Sequence, residues 1–337
     1  MAKLLGILII SFLVTLLAAV PFIDLLYKLK FQRQKEHNKD IFGQVTSIVN
    51  KLHAWKVGTP NAGGILIIGV TILLSAIFYT FTKFHINWTA NVLYFTLISF
   101  GLLGFYDDVR KFFGWQQNGV WGLKIRYKFA FQWIFAFIIG WLIYDKMGQQ
   151  SLYIPLLGTF SLGLLYIPFV AFVIVAMTNA VNITDGLDGL ATGLMVIALS
   201  AFWVLAEFVG MQDVSLFIAT MIGSLLAFLY FNIFPARVWL GDTGALSLGA
   251  MLAVIALMIN QVFVLPLVGL VFVVEVGSSL LQWWSKATRG GKKIFLVAPI
   301  HHHFEALGWD ETKVTMRFWL AGAVAAFLGL FVALLER

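Results

Sequence analysis

Five aspartates carry the chemistry that this sequence offers. Asp107 and Asp108 are paired in Y-D-D-V-R-K, Asp185 and Asp188 stand three apart in N-I-T-D-G-L-D-G-L, and Asp242 is alone in L-G-D-T-G. Each borders a long apolar run. A carboxylate near the core of a bilayer costs roughly 2.5–3.5 kcal/mol on insertion scales, so such residues are rare and usually functional. Asp107 and Asp108 are expected to end a helix, where the dipole disfavours anions. They need cations, and Arg110 and Lys111 are only a local pair. A divalent metal serves better, and hard oxygen ligands in a chain without cysteine point to Mg²⁺ or Mn²⁺. Helix capping is the competing explanation for Asp185 and Asp242, which precede apolar runs. It does not account for Asp188, whose spacing from Asp185 places both on one helix face.

The polar residues nearby suit a phosphate-rich ligand. K-V-G-T-P-N-A-G-G (56–64) is a Gly-rich turn that offers backbone N–H groups and Lys56 to an anion. It lacks the spacing and the terminal G-K-[ST] of a Walker A loop. Lys111, Lys124, Arg126 and Lys128 add positive charge beside the first aspartate pair. Asn182 and Asn232, near the ends of apolar runs, either position a ligand or join helices. His301, His302 and His303 fall in A-P-I-H-H-H-F-E within a Gly- and Lys-rich loop. Three consecutive imidazoles are poorly arranged to chelate one metal. Contact with a phosphorylated substrate is the favoured reading, ahead of an inert interfacial loop or a metal site.

The elements that position these residues are membrane spans. Of 337 residues, 61% are hydrophobic and 12% charged, with a mean hydropathy of +0.91. That composition belongs to an all-α polytopic membrane protein. A span needs about 17–25 apolar residues, and ten stretches qualify: 3–26, 62–82, 89–107, 126–145, 158–181, 187–208, 212–232, 243–259, 262–284 and 314–335. The eighth and ninth divide at Asn260–Gln261, and Pro266 and Gly269 are candidates for bending the ninth. The first apolar run is long and lacks an A-x-A-like cleavage site, which favours a retained helix over a signal peptide. Twelve tryptophans suit interfacial belts.

Basic residues orient the spans. Segments 28–60, 108–128, 233–242 and 286–317 hold nineteen of the chain's 23 Lys and Arg residues, and alternating spans place all four on one side. The positive-inside rule makes that side cytosolic and both termini extracytoplasmic. The net charge of +7 is then mostly topology and implies no nucleic-acid partner. All five aspartates reach the cytosolic face. No second domain, repeat or low-complexity segment interrupts residues 1–337, so the chain reads as one integral membrane domain.

Together, Y-D-D-V-R-K (106–111), N-I-T-D-G-L-D-G-L (182–190), F-N-x-x-P-A-x-V-W-L-G-D-T-G (231–244) and A-P-I-H-H-H-F-E (298–305) resemble the polyprenyl-phosphate N-acetylhexosamine-1-phosphate transferases. G-T-P-x-x-G-G with A-P-I-H-H-H-F-E is similar to the branch acting on the muramoyl-pentapeptide. The resemblance covers essentially the whole chain. It implies a ten-helix enzyme, often a homodimer, of the bacterial inner membrane. Such an enzyme transfers phospho-MurNAc-pentapeptide from UDP-MurNAc-pentapeptide to undecaprenyl phosphate with Mg²⁺, giving lipid I and UMP. It further implies Asp242 as the Mg²⁺ ligand, Asp107 and Asp108 as a catalytic pair with Asp107 the candidate base, and a catalytic need for His301, His302 and His303. Asn182, Asp185 and Asp188 would line the nucleotide side, with Lys56, Lys111, Lys124, Asn232 and Gln282 as further substrate contacts. Two departures, Asn61–Ala62 where Thr-Met is common and Leu296–Val297 where a basic residue and Met are usual, touch fine substrate contacts only.

Two rivals remain. A sibling transferase would carry GlcNAc-1-phosphate to the same lipid, but the histidine run and G-T-P turn argue against it. A cation-coupled transporter would hold its acids near the bilayer midplane, on broken helices, whereas these gather at one face.

Overall fold

The computed structural model describes residues 2–32, 53–81, 87–112 and 125–335. In chain order its helices are α1 (Ala2–Lys28), α2 (Gly64–Phe81), α3 (Trp88–Phe112), α4 (Ile125–Lys146), α5 (Tyr166–Thr184), α6 (Leu190–Phe208), α7 (Gln212–Asn232), α8 (Gly241–Met258), α9 (Leu265–Val268), α10 (Leu270–Thr288), α11 (Ile300–Ala306) and α12 (Glu311–Leu334). Eight are long and apolar enough to cross a membrane: α1, α3, α4, α6, α7, α8, α12, and α5 extended by the 3₁₀ turn Gly163–Leu165.

Burial follows the logic of a lipid-facing surface. α10 buries Glu275, Ser278, Gln282 and Ser285 at helical spacing while exposing Val274, Leu281, Trp283 and Trp284. This inverts a soluble amphipathic helix, because lipid welcomes the apolar face and polar groups must find partners inside. α8 sits at the centre. Every one of its residues except Asp242 is buried, and it packs most extensively against α3 and α5.

Glycines let the central helices meet backbone to backbone. A Cβ at Gly104 of α3 would lie 2.2 Å from the carbonyl oxygen of Asp242, and one at Gly64 of α2 would lie 2.1 Å from the nitrogen of Gly244. Both contacts press the start of α8 against its neighbours, as small residues do at membrane helix interfaces. Gly104→Ala is therefore expected to prise α3 from α8 at a cost of about 1–3 kcal/mol. A lowered melting temperature in detergent, with reduced turnover, checks this.

Several boundaries differ from the sequence reading. The fifth span does not begin at 158. Gly158–Ser161 pairs antiparallel with Ser151–Ile154, in the register Ser151↔Ser161 and Ile154↔Gly158, forming a hairpin. Gln149 Nε2 donates to the Leu257 carbonyl at 2.7 Å, and the Tyr153 N–H donates to Asn260 Oδ1 at 3.1 Å, so this hairpin packs on the C-terminal end of α8. The break at Asn260 and the interruption at Gly269 fall where expected, and Pro266 lies in the separate turn α9. α3 continues past Asp107 and Asp108 to Phe112, so the pair lies inside the helix rather than at its end. Asp185 and Asp188 share no helix face: Asp185 is the C-terminal cap of α5, and α6 begins only at Leu190.

Candidate active site

α3, α4 and α8 bring two carboxylates and two ammonium groups together. Lys111 lies four residues after Asp107, one helical turn on, and its Nζ is 3.1 Å from Asp107 Oδ2 and 2.8 Å from Asp242 Oδ2. Lys128 of α4 pairs with the same two oxygens, at 3.2 Å from Asp107 and in a very short contact with Asp242. Asn182 of α5 donates to the other oxygen of Asp242 at 3.2 Å. Asp107 is buried and Asp242 nearly so, while Lys111 remains two-fifths exposed.

Asp108 faces elsewhere. It accepts from the backbone N–H groups of Asp242 (3.1 Å) and Thr243 (2.9 Å), from Thr243 Oγ1 (2.7 Å) and from Asn61 Nδ2 (3.2 Å). It thus caps the N-terminus of α8 from a neighbouring helix, satisfying donors that no turn of α8 can reach. Gly241 enters α8 at φ +74°, and a Cβ there would meet Asp108 Oδ2 at 2.9 Å and the Ala62 nitrogen at 2.9 Å. The glycine, the aspartate cap and the Gly-rich turn therefore fit as one unit that aims Asp242.

Asp188 is likewise consumed by the fold. It accepts from Lys56 Nζ (2.8 Å), the Ala236 N–H (2.9 Å) and Trp239 Nε1 (3.2 Å). Glu311 of α12 completes the cluster, taking Lys56 Nζ at 2.5 Å and the Asp188 N–H at 2.7 Å on one oxygen. Asp185 differs from the other four aspartates: its backbone N–H closes α5 on the Val181 carbonyl at 3.1 Å, but its half-buried carboxylate makes no hydrogen bond or ion pair with another described residue. Burial, with Asp242, Asp108 and Asp188 adding their charge, pushes its carboxyl up to about 7, against a weaker pull from Lys56. It stands as an open acceptor at the edge of the basin.

Of the three amides expected at the ligand, Asn182 meets Asp242, while Asn232 and Gln282 hold chain segments instead. Asn232 is buried, accepting from Thr192 Oγ1 (2.8 Å) and donating to the Val238 carbonyl (2.9 Å). Gln282 accepts from the Ile294 and Phe295 N–H groups at 2.9 and 3.0 Å and donates to the Phe295 carbonyl at 2.9 Å, which pins the last basic loop to α10. Both ends of each amide are engaged, so the geometry favours joining over ligand contact. Lys124 lies outside the described residues.

The three histidines share α11 but point to three partners. His301 Nδ1 is 2.9 Å from Glu275 Oε2, both fully buried, and its Nε2 abuts Gly186, where a Cβ would come within 2.4 Å. The N-x-T-D-G turn therefore needs glycine for the imidazole to lie against it. His302 Nδ1 is 2.6 Å from Glu305 Oε2, and Glu305 Oε1 is 3.0 Å from His53 Nε2. Burial, reinforced by His301, pushes His302 down to about 3, while hydrogen bonds from His302 and His53 overcome burial and bring Glu305 down to about 2. His303 Nδ1 accepts the Leu296 N–H at 3.2 Å. The donor atoms of His53, His302 and Glu305 lie within 4.8 Å of one another, a grouping able to hold a metal ion. In the structure the carboxylate bridges the two rings by direct hydrogen bonds.

Sequence reasoning missed several of these residues. Glu275 interrupts an apolar span and carried the same energetic signal as the aspartates. Glu311, Asn61, Thr243 and Trp239 gave none, since each matters through an approach made only in the fold.

Glycosyl transferase family 4 matches residues 90–260, the stretch that contains all five aspartates. The chain is 38% identical to a phospho-N-acetylmuramoyl-pentapeptide-transferase of Listeria innocua, over 96% of each chain. It is 37% identical to the protein of that name from Caldanaerobacter subterraneus, again over 96% of each. A third, from Chloroflexus aurantiacus, is 39% identical over 84% of this chain and 79% of the relative.

Proposed function

The chain belongs to the phospho-N-acetylmuramoyl-pentapeptide-transferase family, a transferase family of peptidoglycan synthesis, and on that premise we propose how its basin works. The substrates are UDP-MurNAc-pentapeptide and undecaprenyl phosphate, and the products are lipid I and UMP. An oxygen of the lipid phosphate attacks the phosphorus that bears the sugar. A new P–O bond forms, the bridge to the uridine-bearing phosphate breaks, and its electron pair leaves with UMP. Such transfers depend on positioning and charge neutralisation more than on covalent help.

The observation that carries this reading is the convergence of Asp107 and Asp242 on the same two lysines. Asp242 would hold Mg²⁺. Its carboxylate is a hard donor, and the partly exposed Lys111, 2.8 Å from it, is free to give way to an ion. When bound, the ion neutralises charge on the pyrophosphate. Asp107 accepts a proton from the lipid phosphate, and Lys128 holds that phosphate beside it. Asp185 faces the nucleotide. Asp108, Asp188, Asn232 and Gln282 keep the basin in shape, while His301 borders the Asp185 turn. Direct attack is favoured because the lipid phosphate is already an anionic nucleophile.

Ten spans, with α2 and α10 as the second and ninth, would place this basin at the cytosolic face of the bacterial inner membrane and both termini outside. Homodimer formation follows the family expectation. Purified protein supplied with undecaprenyl phosphate should release UMP from UDP-MurNAc-pentapeptide, dependent on Mg²⁺. Turnover of UDP-GlcNAc alone would overturn the substrate choice.

A further inference from the structure

Four buried polar side chains of α10, Glu275, Ser278, Gln282 and Ser285, receive the segment 292–301 as it runs back along the helix. Ser285 Oγ donates to the Lys292 carbonyl at 2.9 Å. Gln282 meets the backbone of Ile294 and Phe295, and Ser278 Oγ accepts the Ile300 N–H at 3.0 Å. Glu275 comes last, with Oε2 2.9 Å from His301 Nδ1. From Ser285 to Glu275 these rungs climb about 15 Å, at 1.5 Å per residue.

Three of the four rungs are neutral and hold backbone, which is enough to anchor a loop. Glu275 alone is ionisable, and alone holds a side chain of that segment. A carboxylate fully buried in an apolar helix is costly, and an amide or hydroxyl would tie the loop for less. Its Oε1 has no hydrogen-bond partner among the described residues, so the imidazole is what the carboxylate serves. His301 Nε2 is likewise buried and unpartnered among them. It points at the N-x-T-D-G turn, where a Cβ on Gly186 would come within 2.4 Å. Carboxylate, ring and turn stand in line, with Nδ1 engaged and Nε2 aimed beside Asp185.

We propose that Glu275 is a positioning residue for His301: it accepts the Nδ1 proton in a hydrogen bond, which fixes the tautomer and turns Nε2 toward the nucleotide side of the basin. This role rests on the reading above that Asp185 faces the nucleotide. A carboxylate behind Nδ1–H orients an imidazole and leaves Nε2 able to accept or donate, the division of labour found in hydrolase triads. Glu275, buried behind the ring, acts only through it.

Glu275→Gln keeps the size of the side chain, but its amide can donate to Nδ1 as well as accept from it. The single tautomer should give way to a mixture, with kcat down about 10²-fold or more and KM for the nucleotide within about threefold. Ser278→Ala frees the Ile300 N–H of the same segment without touching the ring. It should lower the melting temperature yet leave kcat within about threefold. An equal loss of kcat in both variants would reduce Glu275 to a loop anchor and overturn the role. Nitrogen-15 NMR of the histidine-labelled, substrate-free protein reads the ring without turnover, and His301→Gln identifies its signal among the six histidines. Nδ1 should carry the proton in the unmodified protein and share it with Nε2 in Glu275→Gln. An unprotonated Nδ1, or a tautomer that the variant leaves unchanged, would overturn the role. Absence of UMP release from unmodified protein whose Nδ1 is protonated as expected would instead refute the proposed reaction.

Discussion

Asp242→Asn is expected to reduce UMP release by about 10³-fold or more, while the protein stays folded in detergent. The amide keeps the size of the side chain but removes the charge that Lys111 and Lys128 both approach. It also removes the hard anionic donor proposed for Mg²⁺. Asn182 and the Asp108 cap act on one oxygen and on the backbone, so the start of α8 retains its place. Initial-rate assays across a Mg²⁺ titration, beside a melting curve, provide the check. Near-normal turnover at saturating Mg²⁺ would remove Asp242 from the site.

Asp108→Ala should produce a different failure from its neighbour. Four hydrogen bonds to a buried carboxylate are lost at once, and the Thr243 hydroxyl and two N–H groups at the head of α8 lose their acceptor. A stability loss of about 3 kcal/mol is reasonable for such a cap. Turnover would fall with it, because Asp242 sits on the loosened turn. Asp107→Asn leaves that cap intact and should stop turnover without comparable loss of stability. Thermal unfolding of both variants separates the cases; equal melting temperatures would show that the two aspartates do not divide as described.

The division between Asp107 and Asp108 marks the limit of what the sequence discloses. Motifs and hydropathy located the membrane class, the acids and most spans, because apolar length and intramembrane charge are local properties. Adjacent residues on a helix point about 100° apart, however, and nothing in Y-D-D says which of them meets α8. The same blindness applied to Asn232 and Gln282. A buried amide joining two loops has the composition of one awaiting a ligand, and only the partners found at both ends distinguish them. Residues 158–161 misled for another reason: a short uncharged stretch next to a span, here Gly-Thr-Phe-Ser, is absorbed by a length rule even when it pairs as strand. Asp188 was legible as important, but its partners Lys56 and Glu311 lie 132 and 123 positions away in the chain.

That last contact has a consequence for how the enzyme comes into being. Glu311 opens the final long helix, yet it clasps both the Gly-rich turn near the start of the chain, through Lys56, and the turn between α5 and α6, through the backbone of Asp188. During synthesis the ribosome makes every aspartate of the basin well before it makes this clasp. A nascent chain already holding those acids in the bilayer thus still lacks the tie between the Gly-rich turn and the Asp188 turn, and the closed basin is a late event of insertion rather than one that grows span by span.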